Sequence, residues 1–185
     1  MKSHGLPAGL IGSLLLLVAG SMLITGCEET EEPEELIPPD YDSWERTIDE
    51  DLNFQVPGHG ETLRRIYINP LGEEVAITTS SSGTRRYEYP AGTLIVKEIY
   101  PSPESPPTAD PVMITAMLKA PEDGRARGGW LWITKNLASG EERVLQEEYC
   151  LTCHENANEP YPYQDGNPNG EFRDYTFYPF RPEGE

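Results

Sequence analysis

The sequence predicts a mainly β fold of the α+β kind: an antiparallel sheet accompanied by a few helices. Short apolar runs with a period of two recur along most of the chain, Gly and Pro clusters separate them, and stretches with a helical period are scarce.

In chain order, the first element lies outside the fold. Lys2 supplies a short positive region, Leu10 to Val18 an apolar one, and the run closes on Leu23-Ile24-Thr25-Gly26-Cys27. This predicts a signal peptide over residues 1–26, too short and too soon interrupted to read as a membrane span. Its end resembles a lipobox, in which a small residue precedes a lipidated cysteine, here Cys27, that becomes the first residue of the mature chain. More than one acyl chain anchors stably, because each buried methylene contributes about 0.8 kcal/mol. The expected location is therefore the periplasmic face of a bacterial membrane, with the protein exported and lipid-anchored. Residues 28–40 are rich in Glu and Pro with almost nothing to bury, which predicts a disordered tether. The expected division is 1–26 signal peptide, 27–43 lipidated Cys plus acidic tether, and 44–185 a single folded domain.

Within that domain, residues 41–52 read as a helix, with Asp42 or Ser43 as N-cap before Trp44 and Glu45. Strands are expected at Arg65–Asn69, Thr93–Tyr100, Val112–Leu118 and Trp130–Thr134. Pro90-Ala91-Gly92, residues 101–111 and residues 124–129 provide the turns between them. Gly140 to Cys150 reads as a second helix. Residues 155–173, rich in Asn, Pro, Gly and Tyr, read as a surface loop, and Trp130 and Trp132 as packing residues of one strand.

The 185 residues carry 14 Lys and Arg against 32 Asp and Glu, a formal net charge of −18. Phosphate binding needs clustered basic residues, so nucleic acid and anionic membrane surfaces are excluded as partners. Solubility of an exported protein accounts for the acidity.

Cys150-Leu151-Thr152-Cys153-His154 is a C-x-x-C-H motif. Two thiols at this spacing can each add to one vinyl group of a single haem, and the following His is carried to the iron as proximal ligand. Three other readings exist: a disulfide of an exported protein, a thioredoxin-like redox pair, and a zinc site with His59. The redox pair needs a βαβ frame that the strand pattern lacks. A zinc site is awkward because His154 adjoins Cys153. The three cysteines divide into one for the lipobox and two for this motif, which favours one haem c held by Cys150 and Cys153, with His154 on the iron.

Around the motif, several stretches together resemble the cytochrome P-460 family of small monohaem proteins, over about residues 44–180. They are His59-Gly60, Arg65–Asn69, Pro90-Ala91-Gly92-Thr93-Leu94-Ile95-Val96-Lys97-Glu98, Met113–Lys119, Trp130 and Trp132, and Asp174-Tyr175-Thr176-Phe177. The resemblance implies a curved antiparallel sheet with a few helices around one covalently bound haem. For Lys97 it implies a covalent link to the haem edge, as in the enzymatic branch. That branch oxidises hydroxylamine and nitric oxide at an open iron and passes electrons to a partner cytochrome. A related branch, the cytochromes c-prime-beta, lacks the link and binds nitric oxide. The partners implied are these nitrogen species, a redox-partner cytochrome, the membrane through its anchor, and a second copy in a homodimer. A simple electron carrier is the third reading.

Strand alternation places Lys97 on one face with Ile95 and Ile99, and Glu98 on the other with Val96. A Lys on an apolar face needs to be neutral, paired, reacted or extended to water. The enzymatic branch carries a distal carboxylate in the next strand. Aligning Lys119 with the family's Lys puts Thr115 there instead, and Thr is a poor general base. Met113 and Met117 share the face of Thr115 and are candidates for the distal pocket, as is His59 for the sixth ligand. Arg64 or Arg65 suits a haem propionate.

Overall fold

A computed structural model describes residues 35–55, 60–106, 108–146 and 148–182. Cys27 and His59 lie outside the described residues. The described residues form eight strands: β1 (Glu45–Arg46), β2 (Leu63–Ile68), β3 (Ala76–Thr79), β4 (Arg85–Glu88), β5 (Leu94–Tyr100), β6 (Met113–Lys119), β7 (Trp130–Lys135) and β8 (Glu142–Leu145). Six build one antiparallel sheet in the order β1-β2-β5-β6-β7-β8, and β3 and β4 form a separate hairpin. Among the described residues the helices are α1 (Pro70–Glu73) and α2 (Tyr149–His154), with short 3₁₀ turns at Tyr41–Ser43 and Glu155–Asn158. The mainly β expectation holds.

The central strands are apolar on both sides because both faces of the sheet are covered. Ile68, Ile95, Met117, Trp130 and Trp132 point to the front, where they meet Val75, Tyr87 and Tyr89 of the hairpin region. Leu94, Val96, Ile114, Ala116, Leu131 and Ile133 point to the back and meet Ile37. The register aligns Lys97 with Ile66 on one side and Thr115 on the other. Lys97 therefore belongs to the front and Glu98 to the back, as alternation requires. On the back, the buried Glu98 carboxylate accepts from the hydroxyls of Tyr41 (2.9 Å), Tyr67 (3.1 Å) and Tyr100 (2.7 Å). Burying this acid is tolerable because both its oxygens accept hydrogen bonds.

Three expectations need correction. Residues 41–52 are not a helix. Tyr41–Ser43 make a 3₁₀ turn, β1 pairs with β2 at Glu45↔Ile68, and Leu52 bridges Arg64. A helix this short is marginal in water, and the open edge of β2 offers backbone partners instead. Gly140 to Cys150 is likewise not one helix. Gly140, at φ 72°, closes a turn by donating to the Asn136 carbonyl, which returns the chain as β8 beside β7. Only Tyr149 onward is helical. Finally, the folded body begins before Trp44. Ile37 is fully buried, and the Glu142 carboxylate accepts from the amides of Leu36 (2.7 Å) and Ile37 while pairing with Lys135 at 2.9 Å. Residues 35–43 thus belong to the body and not to the tether.

Candidate functional site

On the front of the sheet lies a cavity of about 390 Å³. Its floor is the sheet itself, through Ile66, Ile95, Lys97, Thr115, Met117 and Trp132. One wall is α2, which contributes Tyr149, Cys150, Cys153 and His154. The other wall comes from Asn156, residues 160–163 and residues 176–178.

Helix α2 turns the C-x-x-C-H spacing into geometry. Residues three apart lie one turn apart on the same face, so both thiols line the cavity while Leu151 packs into the front core. Cys150 and Cys153 do not form a disulfide with each other. The imidazole of His154 is flanked by the rings of Trp132 (4.7 Å) and Phe177 (5.3 Å). Its Nδ1 lies 2.9 Å from the carbonyl oxygen of Tyr175. A carbonyl can only accept, so Nδ1 carries the proton and the Nε2 lone pair is left to act as a ligand. Burial, reinforced by the charge of Lys97, pushes the imidazole down to about 4, so it is neutral at physiological pH. A neutral imidazole is the form that binds a metal.

Lys97 rises from the floor. Burial first, and then the positive charge of Arg64, push its amine down to about 8, with Cys150 acting in the opposite sense. Thr115 is its cross-strand neighbour, and both side chains face the cavity. Among the described cavity residues, the Asp and Glu types are absent.

The structure separates the remaining candidates. Met117 lines the cavity, whereas Met113 stands at the far end of β6, 45% exposed and away from the cavity wall. Arg64 is 3% exposed and lines the cavity. Its guanidinium donates to the carbonyls of Leu52 (3.3 Å) and Phe54 and lies over the Phe54 ring. Arg65 turns to the back, bound to Asp51 at 2.9 Å and to the Tyr100 hydroxyl at 2.8 Å. Trp130 and Trp132 are core residues as expected, and Trp132 also lines the site.

Residues 155–173 form a largely exposed loop after the 3₁₀ turn, as expected, but parts of the loop are buried. Arg173 is 2% exposed and binds Asp165 (2.9 Å) and Glu171 (3.0 Å), while Asn167 is fully buried. That network fixes Tyr161, Pro162 and Tyr163 as cavity wall. The signal available in the sequence was the alternation of Tyr and Pro over residues 160–163, which suits a rigid apolar wall better than a solvated loop.

These residues fit a haem c. Two thiols and an imidazole with its Nε2 open share one wall of an apolar cavity whose far side is built of aromatic and aliphatic side chains. A thioredoxin frame is not present in this antiparallel sheet. Among the described residues, no group of three or more His, Cys, Asp or Glu is arranged to hold a metal ion by itself.

No curated protein matches the chain. The family model described as Cytochrome P460 matches residues 38–178.

Proposed function

Given that the chain belongs to the cytochrome P460 family, and is thus a c-type haem protein with one haem c, we propose that Cys150 and Cys153 carry that haem and that His154 ligates its iron. The observation that carries this reading is the His154 imidazole, neutral and held at Nδ1 by the Tyr175 carbonyl, on the same wall as both thiols.

The activity we propose is redox chemistry on hydroxylamine or nitric oxide. When bound, the haem supplies a one-electron centre with a coordination position for a small ligand. The chain supplies the rest. Trp132 and Phe177 hold the imidazole plane, and the apolar floor excludes water. Lys97, with its lowered basicity, and the Thr115 hydroxyl stand together where they can orient a small polar ligand and hold or release a proton at the lysine Nζ. Lys97 is also the residue for a covalent link to the haem edge. Arg64 is the cationic group for a propionate, through whatever donor capacity its carbonyl partners leave. Export, attachment to the membrane through Cys27 and delivery of electrons to a partner cytochrome complete the proposal.

A second reading is capture of nitric oxide without turnover. It is favoured by Thr115, because none of the described cavity residues is a carboxylate that could take protons from hydroxylamine. An electron carrier with Met117 as sixth ligand is a third, supported by the place of that side chain on the floor.

The test is a spectrum with a peptide map. Covalent attachment predicts that haem stays with the protein in acid acetone and that a Cys150/Cys153 double alanine variant releases it. A red-shifted ferrous Soret band, with Lys97 in the haem peptide, supports the enzymatic branch. An ordinary haem c spectrum with Lys97 unmodified rules out the link. Steady oxidation of hydroxylamine with an electron acceptor separates turnover from capture.

A further inference from the structure

Asp174 and Tyr175 stand side by side with φ of 48° and 68°, and neither is a glycine. Consecutive non-glycine residues in the left-handed region persist only where the surroundings over-determine them. Here they are gripped from two directions. The buried Asp174 carboxylate takes Lys119 Nζ at 2.7 Å on both oxygens, the Trp130 Nε1 at 3.4 Å and the Tyr89 amide at 3.2 Å. Lys119 and Trp130 are themselves cross-strand partners, and the ammonium lies 4.9 Å from the Trp130 ring centre. From the other direction, the Asn158 side-chain oxygen Oδ1 accepts from the amides of Arg173 (2.8 Å) and Tyr175 (3.4 Å). Asn158 closes the 3₁₀ turn that continues directly from α2.

The strained turn presents the Tyr175 carbonyl toward the cavity, 2.9 Å from Nδ1 of His154. We propose that Asp174, anchored by Lys119, and Asn158 are positioning residues for the proximal histidine. They fix the acceptor that receives the His154 Nδ1 proton, and so set the basicity of the ligand and the reduction potential of the haem iron. The inference rests on the assignment of His154 as iron ligand. Neither Asp174 nor Asn158 lines the cavity. Without the ion pair, the turn relaxes toward ordinary backbone and the carbonyl swings away from the imidazole.

The test uses full-length holoprotein carrying Asp174→Asn, Lys119→Met, Lys119→Arg or Asn158→Ala. The measurements are the iron–histidine stretching band of the ferrous form, the reduction potential and the melting temperature. Weaker donation from Nδ1 lowers the band frequency and raises the potential. The expected result is this shift in both Asp174→Asn and Lys119→Met, with covalent haem retained, a smaller shift of the same sign in Asn158→Ala, and restoration in Lys119→Arg. The shared sign is decisive. Direct electrostatics alone would move the potential in opposite directions when an anion and a cation are removed. Opposite shifts therefore overturn the positioning role, as do wild-type values in both Asp174→Asn and Asn158→Ala. Should Asp174→Asn not fold, Asn158→Ala and the Lys119 pair decide by the same criteria. His154→Gly tests the underlying assignment separately. If the wild-type band survives there, the ligand assignment falls; if it is lost while the other variants match wild type, only the positioning role falls.

Discussion

Thr115 and Lys97 face each other across two strands at the floor of the cavity. A carboxylate at position 115 would sit beside an amine whose basicity burial has already reduced, and would be placed to accept protons from a bound substrate. Thr115→Glu is therefore expected to raise hydroxylamine turnover, by up to the roughly 10²–10⁴-fold that a positioned general base contributes. Steady-state oxidation with an electron acceptor measures it; turnover no greater than wild type would mean that the floor does not face the reacting ligand. The face of Lys97 was legible in the sequence from strand alternation, and Thr115 was singled out by the family resemblance, but their pairing was not legible, because register belongs to two strands at once. The choice between Arg64 and Arg65 was not legible. Adjacent arginines look alike until the register with β5 assigns one to each face, and that register is a property of two strands at once.

Among the elements, the sheet edge at β1 is where short-range reading failed and charge took over. Arg65 and Arg46 converge on Asp51 at 2.9 and 3.0 Å, joining β2 to the segment that follows β1. Hydrogen bonding from Arg65 holds the Asp51 carboxyl below its ordinary value of 3.8. A depressed folded value means that the stabilisation is complete above the unfolded pKa and is lost as pH falls through the folded one. Urea midpoints measured from pH 6 downward should drop below about pH 4, and Asp51→Asn should flatten that limb. Parallel acid limbs for both proteins would show that the cluster contributes nothing. The helix expected over residues 41–52 gave way because the edge of β2 satisfied its backbone, a competitor that no local pattern reveals. The wall at residues 160–163 was missed for a related reason. Its composition is that of a loop, and only the buried Arg173 with its two carboxylates turns it into structure.

At the scale of the whole molecule, the sheet separates two environments, and the N-terminal segment closes the back one. Ile37 is fully buried against that face, and Glu142 receives the amides of Leu36 and Ile37. Removing residues up to 34 is expected to leave the melting temperature of the haem domain unchanged. Removing residues up to 43 should destabilise it by at least the roughly 2–5 kcal/mol that loss of one buried Ile side chain costs. Denaturant unfolding of the two truncated holoproteins checks this, and equal stability would place Ile37 outside the cooperative core. Composition alone assigned these residues to the tether, since a Glu- and Pro-rich run conceals a single buried Ile.

The division of β5 between two faces has a consequence for how its length can vary. Lys97 serves the cavity and Glu98, its neighbour, serves three tyrosine hydroxyls on the reverse. Inserting or deleting one residue before this pair would exchange them, sending an acid toward the cavity and an amine toward the phenols. The strand thus behaves like a reading frame with a step of two. Its letters can be changed one at a time, but changes in its length are compatible with the site only in pairs.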